Sequence, residues 1–558
     1  MACWAVQLSI GITVRNPLTV VFFVLFFMLG KRTNYRIKGI GTIPRVIISL
    51  IISFILTVLS YKGVAASFSS MIFRMLSAVI LGSGFFFAGM LVLGDCQESA
   101  SKDITVNSHK LKAFAQFLSG NRYKAVLIVM GICFLCWLPY YLYEFPGIMT
   151  ADSIVQYYEI IGIEPVSNHH PILHTLIIAL FYKLGMIFST DPLVGIALYT
   201  VFQMIFLSYC CGELIWRIER DINKLLALLF FALVPFNAVF AVTVWKDIYH
   251  AGITMLLLCK LIDIIKKDDV IQIKDYVHIV ILMLLFALFR SNAWYALLVW
   301  TPFAICFFRK RIIGITASMA ITIALVIVIK GPVMSYFGVG QPDLVESLSV
   351  PAQQIARILA DDIPFSDNEK EMIEAVIDTT YIHELYVPNY ADNIKELIRA
   401  GHPEVISANK TAYFKLWAGL VLRHPIEAVK AWYDLVGGYF YPDVAYEVGN
   451  IDGVIGNECG LYWNPIIGGK FVKVKEILIK LGSFVPLYGL LWSIGTYTWL
   501  LAIAFFMTLK RKKEYITKLL LLMTVGTLLI AAPVVDFRYG YSIVMTMPLW
   551  IEILLAKD

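Results

Sequence analysis

The first residue in this chain equipped for chemistry is an aspartate at the end of an aromatic run. Asp152-Ser153 closes Tyr140-Tyr-Leu-Tyr-Glu-Phe-Pro-Gly-Ile-Met-Thr-Ala, and Asn168-His169-His170-Pro171 follows. Aromatic rings of this kind collect where membrane meets water, and Pro146–Gly147 turns the chain sharply. Asp152 is therefore expected close to lipid headgroups, where it could take a proton from a hydroxyl or amine as a general base. A plainer role competes, because Thr150–Asp152 is equally placed to cap a helix over Ile154–Ile161. Cations beside apolar runs are scattered along the chain. They are Lys246 beside Asp247, Arg290 before Ser291–Asn292, Arg357 after Gln353–Gln354, and Arg538 in Asp536-Phe-Arg-Tyr. Each cation could snorkel toward water or pair with a neighbouring acid. Gln354 and Arg357 could equally belong to an ordinary amphipathic helix.

Bringing such distant residues together needs a scaffold, and composition says which kind. Of 558 residues 59% are hydrophobic and only 15% charged, against about 25% charged in a soluble domain. The apolar runs are too many and too long for a water-soluble core, which excludes a soluble enzyme, a disordered chain and a single-anchor protein. A spanning helix takes roughly 20 apolar residues. The runs at 14–30, 46–60, 72–94, 125–143, 193–215, 225–243, 248–264, 277–290, 293–307, 312–330, 482–509, 517–531 and 541–555 give an expectation of about 13 spans. The fold class is thus an all-α polytopic membrane protein. Ile172–Phe188 is also apolar, but it carries His174 and Lys183 and follows Pro171; we read it as juxtamembrane or re-entrant.

Charge orients the bundle. Lys31, Arg32, Arg36, Lys38 and Arg45 form an acid-free cluster expected in the cytoplasm. Lys102, Lys110, Lys112, Arg122, Lys124, Arg309–Arg311 and Lys510–Lys513 fall on the same side. The extracytoplasmic face then carries 144–192, the turns at Trp245–Asp247, Arg290–Asn292 and Val535–Tyr541, and a domain over 331–481 with 20 acidic and 12 basic residues. Four parts are expected: a three-span extension with a cytoplasmic loop (1–124), a transmembrane core (125–330), the extracytoplasmic domain (331–481) and three last spans (482–558). Helical periodicity in the domain lies at Asn368–Asp378, Asn393–Ala400, Lys410–Leu422 and Ile426–Val436. Tyr439, Phe440, Tyr441, Tyr446, Tyr462 and Trp463 enrich its later part in aromatics. Basic residues in short clusters beside apolar runs speak against nucleic-acid binding. Cys133 and Cys136 form a C-x-x-C on an apolar helix with no second ligand pair, which suits packing better than metal.

Phe145-Pro-Gly-Ile-Met-Thr-Ala-Asp-Ser, Asn168-His-His-Pro-Ile-Leu-His and Trp245-Lys-Asp resemble elements of the GT-C glycosyltransferases. These are multi-span enzymes that use polyprenyl-phosphate sugars as donors. The similarity extends to the order of elements from about Ala125 to Asp558. It implies a GT-C-like bundle with a mainly helical extracytoplasmic domain, and transfer of a sugar from a polyprenyl-phosphate donor to a cell-wall polymer, lipid or protein. By the same resemblance Asp152 is the catalytic base, and His169 and His170 shape the cleft. Lys246 and Asp247 supply the second polar turn. Several members carry an acidic pair where this chain has Asp152–Ser153 and Lys246–Asp247. That departure puts a divalent metal (Mg or Mn) in doubt, since a lysine can neutralise phosphate where a cation otherwise would.

Two other classes stay open. A transporter or lipid flippase would show repeated halves and mid-membrane charges, and neither is evident. An acyltransferase or polymerase for surface polysaccharide would use a reactive histidine, for which His169–His170 is the one pair.

Overall fold

The computed structural model describes residues 1–9, 18–32, 42–65, 70–99, 109–267, 271–441, 452–484, 486–509 and 515–555. Among these the chain is helical, with extended backbone paired only at isolated bridges. Arg36, Lys38, Lys102, the basic run 510–513 and Tyr446 lie outside the described residues.

Among the described residues five helices are long and apolar enough to cross a bilayer: Arg74–Leu93, Arg122–Tyr143, Pro192–Arg217, Lys246–Lys266 and Arg309–Tyr336. A sixth would be the pair Asp221–Leu233 and Pro235–Ala241, bent by 57°. The expected count of thirteen is not reached, and the reasons are local. Run 225–243 breaks at Pro235, whose ring removes a backbone donor and clashes with the preceding turn. Run 482–509 is not one helix; it is cut into Pro486–Gly489, Leu490–Trp492 and Ile494–Thr508. Ile494–Thr508 and Tyr515–Ala531 have 15 and 17 residues, shorter than the roughly 30 Å hydrocarbon layer demands at about 1.5 Å per residue.

The core begins with α1 (Arg122–Tyr143), followed by α2 (Ala151–Ile161), α3 (Ile172–Phe188) and α4 (Pro192–Arg217). The bent pair α5 (Asp221–Leu233) and α6 (Pro235–Ala241) leads into α7 (Lys246–Lys266), which is buried along most of its length between α4, α8 (Ile273–Phe289) and the C-terminal helix. After α9 (Ser291–Phe307) and α10 (Ile312–Val328), the chain leaves the bundle and returns to it in its last helices. Helices α3 and α4 meet through glycines: a Cβ on Gly185 would lie 2.5 Å from Gly195 Cα, so only small residues allow this approach. At the end of the bundle away from Asp152, Arg122 and Arg217 both grip Glu213, at 2.8 and 2.7 Å, and Arg217 also holds Asp263 at 2.8 Å. These ion pairs clamp α1, α4 and α7 together.

Within 331–481 the buried apolar residues fall in two clusters. The first part has its own apolar core, in which Ile358 and Ala356 of α11 (Ser349–Ala360) meet Ile373, Ile394 and Ile398 and then Leu416 and Leu420 of α12 (Lys410–Arg423). The helices expected here occur, as Asp367–Glu374, Asp392–Ala400, α12 and α13 (Pro425–Val436). The later part joins the bundle: Leu435, Val436, Tyr439 and Leu461 belong to the main core. Helix α14 (Lys470–Phe484) then leads to α15 (Ile494–Thr508), α16 (Tyr515–Ala531) and α17 (Tyr541–Leu555).

Candidate active site

Backbone pairing fixes where Asp152 sits. Ile148 N–H donates to Val242 O at 2.9 Å and Val244 N–H to Ile148 O at 2.9 Å. On the other side Met149 N–H donates to Gly453 O at 2.9 Å, and Ile455 N–H to Met149 O at 3.1 Å. Residues 148–149 are thus the middle rung between 242–244 and 453–455. Ser153 Oγ donates to Val244 O at 2.6 Å and Trp245 Nε1 to Thr150 Oγ1 at 2.8 Å. These bonds seat the start of α2 against the start of α7. Thr150 is the N-cap residue of α2, without a side-chain cap, so neither Thr150 nor Asp152 is spent on capping.

The Asp152 carboxylate instead faces cations. Its Oδ2 accepts from Arg538 Nη1 at 2.9 Å, with Lys246 Nζ at 3.5 Å and His170 Nδ1 at 3.9 Å. Lysine in a helix's first turn opposes the helix dipole; Asp152 supplies the compensating charge to Lys246. Lys246 Nζ also donates to His170 Nδ1 at 3.0 Å. An ammonium has no lone pair, so Nδ1 is the acceptor and the proton of neutral His170 resides on Nε2. Burial of Asp152 pushes its pKa up, but the Lys246 and Arg538 charges outweigh burial and hold it well below the usual carboxylate range. Burial, and next the Lys246 charge, push His170 down, so its ring is neutral at pH 7.

A second pair lies alongside. Arg290 Nη1 pairs with the buried Asp247, and Arg290 Nε donates to Asn292 Oδ1 at 3.0 Å. Arg538 Nε sits 2.8 Å from Asp536 Oδ2. The Tyr539 ring serves both arginines, with the Arg290 guanidinium 4.5 Å and that of Arg538 5.1 Å from its centre; Arg538 also lies 4.7 Å from the Trp245 ring. Such contacts restrain the guanidiniums without consuming their donors. Three cations (Lys246, Arg290, Arg538) and three carboxylates (Asp152, Asp247, Asp536) therefore balance. The side chains of the cations are 10–15% exposed and that of Asp152 is 28% exposed, so the carboxylate is the most open member.

The remaining expected residues lie elsewhere. His169 turns toward the 331–481 segment, with Nδ1 3.8 Å from Glu346 Oε1, while its ring meets that of His170 edge-on at 4.7 Å. Gln354 and Arg357 bond protein partners away from the Asp152 cluster. Gln354 accepts from Trp417 Nε1 at 2.7 Å and donates to Ala428 O at 3.0 Å. Arg357 bonds Asp434 at 2.7 Å and Asp361 at 3.2 Å. Gln354 thus rivets α12 and α13 onto α11, and Arg357 adds a second tie to α13. Among the described residues no three His, Cys, Asp or Glu side chains converge as metal ligands would, and both Asp152 and Asp247 already face cations.

Beneath the site lies a supporting network of which only His174 stood in a quoted motif. His174 Nδ1 lies 2.8 Å from Gln156 Oε1, and its Nε2 lies 2.6 Å from Tyr199 Oη. Tyr199 Oη donates to Gln203 Oε1 at 2.9 Å, and Gln203 Nε2 donates to Thr243 O at 2.7 Å. The chain of bonds runs from α2 through α3 and α4 to the turn before α7. Its signal was polar residues inside apolar helices, which must find partners there.

No curated protein and no solved structure matches this chain. A family model does match, over residues 164–557, a stretch that begins after Asp152 and contains His170, Lys246, Asp247, Arg290 and Arg538. The chain belongs to the family of unknown function DUF6020.

Proposed function

We propose that this protein is a GT-C-type glycosyltransferase, moving a sugar from a polyprenyl-phosphate donor to an extracytoplasmic acceptor in the cell membrane. One observation carries the reading: Asp152, the most open carboxylate of the cluster, shares its oxygen with Arg538 and Lys246. A base is most effective with a pKa near the working pH, and Asp152 is held far below it. The arrangement fits a reaction in which the donor's phosphate takes over Arg538 and Lys246. Their field on Asp152 is then offset by the phosphate charge, and its basicity rises when the acceptor is in place. The acceptor hydroxyl oxygen attacks the anomeric carbon and its proton passes to Asp152. The bond from that carbon to the phosphate oxygen breaks, and the phosphate leaves with the electron pair, its charge met by Lys246 and Arg538. A single displacement inverts the anomeric configuration. No step runs through a metal.

His170 has Nδ1 committed to Lys246, which speaks against it as the base of an acyl transfer. The test is transfer of labelled sugar from a polyprenyl-phosphate donor by the purified protein and its Asp152→Asn variant. Loss of general-base catalysis costs about 10²–10⁴-fold, so the variant should fall by at least that lower factor while folding normally. Undiminished transfer by the variant would remove the mechanism, and absence of any sugar transfer by the unaltered chain across such donors would remove the activity.

A further inference from the structure

Helices α12 and α13 form a hairpin joined at His424, and its two faces are unlike. One is fixed: Leu416, Leu420, Ala428, Ala431 and Leu435 are buried, and Gln354 and Arg357 tie the pair to α11. The other bears Phe414, Leu422, Ile426 and Val429, which are 63, 81, 63 and 58% exposed. Spacings of eight and three residues place each pair on one helical face, so these side chains make a stripe along the hairpin. Lys410, Lys415 and Lys430 are exposed on the same two helices. From 410 to 436 the chain has four basic and two acidic residues, within a 331–481 segment that carries 20 acidic and 12 basic overall.

The hairpin's level is set by what it touches. Trp432 Nε1 of α13 donates to Leu529 O at 2.8 Å, at the last turn of the apolar helix α16, and Tyr439 Oη just beyond α13 donates to Val534 O at 2.8 Å. Ile530 beside that contact is 71% exposed. The stripe thus continues the apolar surface of the bundle at the end where its helices stop.

We propose that the α12–α13 hairpin lies in the bilayer surface at the Asp152 end of the bundle. Its stripe is sunk among acyl chains, and Lys415 and Lys430 contact anionic phosphate headgroups. An amphipathic helix with basic residues beside an apolar face is held in this way by apolar burial and by attraction to anionic lipid. The inference needs only a membrane-embedded bundle and is independent of the Asp152 chemistry.

The test places the photoreactive residue benzoylphenylalanine at Phe414 or Leu422 in the full chain, reconstituted in nanodiscs of phosphatidylcholine with or without phosphatidylglycerol. The same residue at Ile530 is the positive control, and at Glu371 the negative. Illumination should give lipid adducts at 414 and 422 at yields comparable to 530, with little at 371. Phosphatidylglycerol should raise the yield severalfold, and Lys415→Glu with Lys430→Glu should abolish that rise. Crosslinked pairs of chains at 414 and 422, or no adduct there while 530 reacts, would overturn the proposal. Equal yields in both lipids would overturn the headgroup assignment.

Discussion

Asp152 faces Arg538 and Lys246, so it remains ionised below the pH, about 3.9, at which an unfolded aspartate takes up a proton. Its contribution to stability is whole at neutral pH and is lost as pH falls below that value. The unfolding midpoint in detergent should therefore drop between about pH 5 and pH 3, and Asp152→Asn should flatten that drop. An unchanged acid slope in the variant would show that the ion pairs contribute nothing. Arg538 meets Asp152 and Asp536 through different nitrogens. A hydrogen bond to a charged group is worth about 1.5–3 kcal/mol, so Arg538→Ala should weaken donor use by roughly 10- to 150-fold in KM. Arg538→Lys should recover part of it, because charge is kept and the fork is lost; titrating the donor in the transfer assay separates the two. These residues were legible because an acid, a lysine and an arginine each followed an apolar run at a turn. Gln354 and Arg357 satisfied the same rule, yet their partners Trp417, Ala428 and Asp434 lie more than sixty residues further along the chain, where spacing reveals nothing.

Elements hold the site through contacts of two kinds. Glu144, which ends α1, is fully buried; Gly453 N–H donates to its Oε2 at 2.7 Å, and Lys475 of α14 pairs with its other oxygen. Lys475 also holds Asp452 at 2.6 Å, and Tyr143 Oη donates to Asp452 at 3.1 Å. Burial dominates, with two carboxylates sharing one ammonium, and raises Glu144 from 4.5 to about 7. Between those values the folded chain keeps a proton that the unfolded chain has released, so folding is favoured on acidification and this stabilisation is lost as pH rises through 7. Amide exchange in 452–467, corrected for its intrinsic rate, should be slower at about pH 5.5 than at about pH 8, and Glu144→Gln should erase the difference. The second kind is the neutral network of Gln156, His174, Tyr199 and Gln203. His174→Phe would strand two buried partners, costing about 1–3 kcal/mol each, read as a lower unfolding midpoint with reduced transfer. Helix identities were largely readable from apolar periodicity. Their continuity was not, since Pro235 divides one run and extended Ser493 another, although hydropathy alone reads each as unbroken.

At the scale of the molecule, the N-terminal helices Ala2–Ser9, Thr42–Ala65 and Met71–Ser99 pack chiefly on one another. A chain beginning at His109 should keep the unfolding midpoint and the transfer rate of the full protein, and loss of either would assign those helices a part in the site. The division at 331 and 481 was legible only as a change of charge. The physical seam falls between the small core around α11 and the return of Leu435 to Tyr439 into the bundle. The equal tally of cations and carboxylates around Asp152 has a consequence for kinetics. A cluster without net charge exerts little pull on distant anions, so capture would not depend on electrostatic steering from bulk water. A ligand confined to the plane of the bilayer needs no such attraction, because it arrives by lateral diffusion. Turnover should accordingly respond weakly to added salt beyond the screening length of about 8–10 Å.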